Sequence, residues 1–155
     1  MPSTNSVLAK LKNSYPQFKF APSDDFYWSS TDNIVFYNPK SPNMDVFLLH
    51  ELSHALLGHD KYQHDIQLLT LERQAWDHTV SLIHDLAVLI PEGLVESTLD
   101  SYRDWLHSRS TCPKCQATGV QSDEKTYKCL VCGSDWSVNE AKTCALRRYS
   151  NKKRP

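Results

Sequence analysis

Cys112-Pro113-Lys114-Cys115 and Cys129-Leu130-Val131-Cys132 place two Cys-x-x-Cys pairs 13 residues apart, late in a chain of 155 residues. No other feature restricts the fold of this region as tightly. Each pair makes a tight knuckle with both sulfurs on one side, and two knuckles can surround one ion tetrahedrally, with no position left for water. Such a centre is structural. A stretch of about thirty residues holds too little core to fold unaided, so the ion has to supply the stability. Gly133 eases the second knuckle, and Tyr127 and Trp136 are expected to cover the small core. The expected element is a four-cysteine zinc ribbon over residues 109–140. Cys144 falls outside the pattern and is expected to be a free, partly buried thiol. Met1-Pro2-Ser3-Thr4-Asn5 has neither the charged nor the apolar region of an export signal. Metal binding is therefore expected over disulfides, and a cytoplasmic location is expected with it.

Charge divides the chain at the same place. Residues 1–110 carry 8 Lys and Arg against 14 Asp and Glu, a net −6, and residues 111–155 carry 9 against 4, a net +5. An acidic body followed by a basic end suggests two parts with different partners. The tail over 141–155, ending Arg147-Arg148-Tyr149-Ser150-Asn151-Lys152-Lys153-Arg154-Pro155, offers contact to nucleic acid or to an acidic protein surface. A solvated, disordered terminus explains the same composition. No run approaches the roughly 18 apolar residues of a membrane span, so no membrane role is expected.

Residues 1–108 are expected to form one α+β domain. Val7, Leu8 and Leu11 lie on one side of a helix over 3–13 that Ser3 can cap. Phe18-Lys19-Phe20, residues 26–30 and residues 33–38 are rich in aromatic and β-branched residues and read as three short strands. Thr31 and Asp32 make the last two a hairpin, and the small sheet is expected to be antiparallel. Ser41-Pro42 signals a helix start and Gly58 its end. Further helices are expected over about 65–90, stopped by Pro91, and about 92–108, where Leu94, Val95, Leu99, Tyr102 and Leu106 keep helical spacing. Residues 108–111, Ser-Arg-Ser-Thr, read as a polar joint.

The 42–57 helix carries His50-Glu51-Leu52-Ser53-His54. Histidines at i and i+4 share a helix face and can bind one ion. Glu51 is beside them. A zinc ion there would polarise a carbonyl and lower the pKa of water, and Glu51 would take the water's proton as general base and pass it to the leaving nitrogen. Val46, Phe47, Leu48, Leu49, Leu56 and Leu57 flank the motif, and polar groups on so apolar a helix are costly without a purpose.

A catalytic zinc needs a third protein ligand and one open position. His59, Asp60, His64, Glu72, His78 and His84 are the candidates. Asp60 would suit the long HExxHxxGxxH motif, but that motif needs glycine at position 57, where Leu57 stands. His59, just past the helix, reads more simply as a supporting or surface histidine. Glu72 lies on the next helix within a face formed by Leu68, Leu69, Ala75, Trp76 and Thr79. A carboxylate in that stripe is expensive unless something positive meets it, and Ala75 allows close helix approach. Glu72 is the expected third ligand. In the alternative, Glu72 pairs with an arginine or lysine and Asp60 or His64 closes the site.

At these residues the chain resembles the ImmA/IrrE family of metallopeptidases, which join a short sheet to an HExxH helix and follow it with a helix bearing an ExxA-type motif. The matching residues are His50, Glu51 and His54, then Glu72-Arg73-Gln74-Ala75, preceded by the strand at 33–38. The likeness spans roughly residues 5 to 90. It implies a zincin-like fold with His50, His54 and Glu72 as ligands and Glu51 as base. It also implies a protein substrate, typically a helix-turn-helix repressor supplied as a separate chain, and with the ribbon the count becomes two Zn2+ ions per chain. The ribbon departs from the minimal family pattern. A second resemblance is to SprT-like proteases, which also pair HExxH with a C-terminal zinc ribbon and act on proteins attached to DNA. They usually take a third histidine from a downstream histidine-glycine segment, and His64, the nearest candidate, is followed by Asp65-Ile66. A non-catalytic zinc-binding adaptor is the third possibility, against which the intact Glu51 counts. Tyr62 and His78 are candidate oxyanion donors.

Overall fold

The computed structural model describes residues 4–139 and 148–150. Ser3, Cys144 and the remainder of the tail lie outside the described residues. The chain is α+β, with four helices and two small sheets among these residues. It divides into two compact units. One holds the described residues up to Lys61 together with Leu71–Val95; the other holds Tyr62–Thr70 and the described residues from Glu96 onward. No helix among the described residues is long and apolar enough to cross a membrane.

In the first unit, α1 (Thr4–Ser14) buries Val7 and Leu11, as the one-sided spacing requires. Three strands follow, β1 (Lys19–Pro22), β2 (Tyr27–Ser29) and β3 (Ile34–Tyr37). The expected hairpin forms: β2 pairs antiparallel with β3, and Asn33 takes the left-handed conformation (φ 59°) that the turn needs. The sheet as a whole is not antiparallel. Its order is β1-β3-β2, with β1 parallel to β3 from Lys19↔Ile34 to Pro22↔Tyr37. The link after Pro22 crosses the end of β3, where the Ser23 amide donates to the Tyr37 carbonyl at 2.8 Å and the Asn38 side-chain amide to the Asp24 carbonyl at 3.2 Å. Strand-forming composition marks each strand without naming its neighbour.

Helix α2 (Met44–Leu56) packs on β2 and β3. Its start differs from the one expected at Ser41-Pro42, where Ser41 would cap the helix and Pro42 open its first turn. Ser41 contributes only its carbonyl, to the Met44 amide at 3.2 Å, and Asn43 at the N-cap position makes no side-chain cap bond. Asp45 instead places a negative charge in the positively polarised first turn. The end is as expected: Gly58 adopts φ +70°, its amide bonds to the Ala55 carbonyl (3.2 Å), and the His59 amide bonds to the His54 carbonyl (2.9 Å). That pair of bonds is a Schellman motif, and it returns His59 over the last turn. Helix α3 (Asp65–Leu86) ends the same way before reaching Pro91, with Ala87 at φ 54° and the Val88 amide on the Ile83 carbonyl at 3.4 Å. Trp76 is fully buried, with Phe47 edge-on 6.1 Å away.

In the second unit a four-stranded antiparallel sheet has the order β4 (Val120–Asp123), β5 (Thr126–Lys128), β6 (Asp135–Val138), β7 (Arg148–Ser150). Within 141–155, for which a contact to a partner and a solvated terminus were both open, Arg148–Ser150 forms a strand that pairs with Val138–Trp136. Tyr127 and Trp136 are buried and stacked 5.7 Å apart, as expected for the cover of a small core. Gly119 is needed for contact, since a Cβ there would lie 2.4 Å from the Trp136 ring. The supposed polar joint at 108–111 is instead largely helix: α4 (Leu94–Ser110) runs through it, and Arg109 is only 2% exposed. Its guanidinium Nε donates to Asp65 Oδ2 at 2.8 Å, and its other nitrogens reach Asp65 Oδ1 (3.5 Å) and Asn139. Tyr127 also donates to Asp65 (2.5 Å), and Gln121 accepts the Asp65 amide (2.7 Å). Burial, followed by the Asp65 carboxylate, raises the Tyr127 pKa well above its ordinary value.

Candidate metal centres

The i, i+4 spacing on α2 brings His50 and His54 together, with their Nε2 atoms 3.2 Å apart and both rings almost wholly buried. Helix α3 supplies Glu72 from across the first unit's core. Its Oε2 is 2.8 Å from His50 Nε2, its Oε1 is 3.2 Å from His54 Nε2, and Glu72 is 4% exposed. Burial by itself would raise the Glu72 pKa, but the hydrogen bonds and charges of the two histidines outweigh it and hold the carboxyl well below the usual range. Ala75, with no exposed surface, lies in the same stretch of α3. Glu72 has His50 and His54 as its ion-pair partners among the described residues; the expected arginine or lysine of the alternative is not among them.

These distances fit a metal. Ligands about 2.0–2.1 Å from a tetrahedral zinc lie about 3.3 Å from one another, close to the 2.8–3.2 Å separations seen. Glu51, half-buried, offers a carboxylate oxygen within 4.8 Å of the ring nitrogens of His50 and His54. His50, Glu51 and His54 together could hold a metal ion. Glu72 adds a further carboxylate within reach of both rings.

The remaining candidates have different surroundings. Asp60 is exposed and accepts from the Ser30 hydroxyl at 2.8 Å. His64 belongs to the second unit, where its amide and that of Gln63 donate to the Gln67 side chain at the start of α3. His78 places Nδ1 3.2 Å from the Ser53 hydroxyl, and His84 is exposed. Tyr62 lines a cleft of about 200 Å3 in the second unit with Gln63, Asp65, Arg109, Glu124 and Lys125.

Sequence reasoning left His59 undecided and passed over Gln74. His59 Nδ1 lies 2.9 Å from His54 Nδ1, and His59 Nε2 lies 3.1 Å from the Gln74 side-chain oxygen. Burial, and then the neighbouring His54, lowers the His59 pKa and favours its neutral form. His50 differs: its ring stacks on Trp76 at 4.2 Å, and its buried Nδ1 has no hydrogen-bond partner among the described residues. The signal that could have found Gln74 is its position two residues after Glu72, on the same helix that meets the HExxH helix.

In the second unit the four paired cysteines come together and could hold a second ion. Cys112 and Cys132 sulfurs are 3.6 Å apart, and those of Cys115 and Cys129 3.5 Å. Sulfurs about 2.3 Å from a tetrahedral zinc are about 3.8 Å apart. The two knuckles repeat one geometry, with amides aimed at the first sulfur of each: Cys115 to Cys112 at 3.5 Å, and Cys132 to Cys129 at 3.4 Å. The residue after each pair is left-handed, Gln116 at φ 66° and Gly133 at φ 76°. The Ser134 hydroxyl and amide draw the Cys132 thiol down to about 6, and the Cys132 amide lowers Cys129. Cys115 moves the other way: against the lowering hydrogen bond at Ala117, its contact with Cys129 and burial push its thiol up to about 12. It is the four converging sulfurs, as ligand type, that favour a soft divalent cation.

Comparison with protein-family models, with curated proteins and with solved structures gives no match to this chain. The class that the fold and sites define is therefore coarse: an α+β protein with two clusters able to hold metal ions.

Proposed function

We propose that this chain is a zinc-dependent metalloendopeptidase of the ImmA/IrrE type, with His50, His54 and Glu72 holding the catalytic zinc and Cys112, Cys115, Cys129 and Cys132 a structural one. The observation that carries the reading is the convergence of two ring nitrogens and the Glu72 carboxylate within 2.8–3.2 Å, with a Glu51 oxygen close by. Three protein ligands leave one position of a tetrahedron open.

When bound, zinc supplies Lewis acidity to a substrate carbonyl and to water. Glu51 does the proton work. Its carboxylate takes a proton from water as the peptide carbonyl is attacked and gives one to the departing amine nitrogen. Glu72 would neutralise part of the ion's charge, and the burial of His50, His54 and Glu72 would make that interaction stronger than in bulk water. The substrate class follows the resemblance: a regulatory protein such as a helix-turn-helix repressor. The ribbon and the basic end of the chain, with a net +5 over 111–155, are suited to steer the enzyme towards nucleic acid or an acidic protein surface. The SprT-like alternative ranks second because it calls for a histidine-glycine segment downstream, and His64, the nearest candidate, is followed by Asp65-Ile66.

The test compares the zinc-loaded chain with Glu51→Gln on a candidate repressor, with products read by mass spectrometry. Cleavage is expected to fall at least ~100-fold while both ions stay bound, because the amide keeps the shape and cannot take the proton. Activity that survives moves the base elsewhere. Absence of cleavage by the parent chain on repressor and general protein substrates favours the adaptor.

A further inference from the structure

The geometry points to His59, itself held by Gln74, as a positioning residue for His54: its Nδ1 accepts a hydrogen bond from His54 Nδ1–H and so leaves His54 Nε2 bare towards His50 and Glu72. The inference rests on the reading of His50, His54 and Glu72 as a metal site.

Its origin is local. The left-handed Gly58 closes α2 and brings the His59 amide back onto the His54 carbonyl at 2.9 Å. The segment is then pinned to β2 and the turn after it. The Trp28 indole donates to the His59 carbonyl at 3.1 Å, and Ser30 donates to Asp60 at 2.8 Å. With its backbone fixed twice over, His59 meets His54 Nδ1 to Nδ1 at 2.9 Å and Gln74 at 3.1 Å.

Two proton arrangements satisfy this chain of contacts. In one, His54 Nδ1–H donates to His59 Nδ1, and His59 Nε2–H donates to the Gln74 oxygen. In the other, the Gln74 amide is turned and donates to His59 Nε2, His59 Nδ1–H donates to His54 Nδ1, and the His54 proton sits on Nε2. A metal needs a lone pair on Nε2, so only the first arrangement binds it. Partners of this kind orient a ligating ring and raise its basicity. His50, stacked on Trp76, is oriented by packing instead. The two ligand histidines are thus held by different means, and among the described residues His54 alone of the two has a hydrogen-bonded relay.

The experiment titrates the full chain with Co2+ against a competing chelator. Thiolate-to-cobalt charge-transfer absorption reports the cysteine site, and the visible bands without it report the histidine site. His59→Phe, which removes the acceptor and keeps a ring, is expected to weaken the histidine site by about 10–100-fold and leave the cysteine site unchanged. His59→Asn, whose side-chain oxygen stands near the place of Nδ1, is expected to recover most of that loss. Gln74→Met, at an exposed position, should weaken binding in the same direction and by less. Parent-like affinity in His59→Phe overturns the proposal, and so does His59→Asn binding as poorly as His59→Phe, since the ring alone would then be what matters. If the parent chain shows no second cobalt site and His50→Ala changes nothing, the metal reading itself has failed, which is a different result from failure of the relay.

Discussion

Gln116 shows what a single residue costs in a knuckle. It holds φ 66° where the equivalent position in the second knuckle is Gly133, at φ 76°. A side chain in the left-handed region costs about 1–2 kcal/mol, and glycine's greater freedom in the unfolded chain returns part of that difference. Gln116→Gly is expected to stabilise the second unit by about 0.5–1 kcal/mol, read as a higher denaturation midpoint of the zinc-loaded protein. An unchanged or lower midpoint would mean that the Gln116 side chain does something the backbone conformation does not reveal. Both knuckles were legible from cysteine spacing alone. The matching left-handed turns were visible only at Gly133, because glutamine carries no signal for a positive φ.

Helix α3 is the element on which the catalytic reading depends. Its sequence places Glu72 among Ala75, Trp76 and Thr79, all of them buried. An uncompensated carboxylate there would be costly, which makes Glu72 conspicuous from the helical spacing of its neighbours. What meets it is the pair of histidines on α2, at 2.8 and 3.2 Å. Glu72→Ala is therefore expected to strip zinc from the histidine site, whereas Asp60→Ala, which breaks only the contact to Ser30, should not. Metal analysis of the purified variants reads this. Retention in Glu72→Ala, with loss in His64→Ala, would replace the ImmA/IrrE-type reading with the SprT-like one. The β1–β3–β2 order was not legible at this scale, because three short strands with similar composition leave their pairing to the crossing link after Pro22.

At the scale of the whole molecule two clusters able to hold a metal ion lie in two compact units, one in each. Elemental analysis should find two zinc ions per chain, and Cys115→Ser should lose one of them. In that variant Trp105 and Trp136, buried in the second unit, should become exposed to water and shift their emission to the red, while Trp76 in the first unit stays buried. One zinc in the parent chain would rule out the two-site arrangement. The second unit also draws on α3: Asp65, 2% exposed, meets Arg109 and Tyr127 inside it. A buried pair of this kind is held in place by its partners, since removing either one leaves an unmatched charge in a low-dielectric surrounding.

Local chemistry was sufficient to mark the four cysteines as one cluster, the two histidines on one helix face, Glu72 as a buried carboxylate in need of a cation, and the helix stop at Gly58. Each follows from spacing or from a conformational preference that acts over a few residues. The parallel pairing of β1, the strand at Arg148–Ser150, the burial of Arg109 in a stretch that reads as a polar joint, and the line from His54 through His59 to Gln74 were settled by the tertiary structure. The reason is common to all four. A polar or strand-forming residue states what it requires of a partner, and only folding brings the partner within about 3 Å, the range over which a hydrogen bond has its strength.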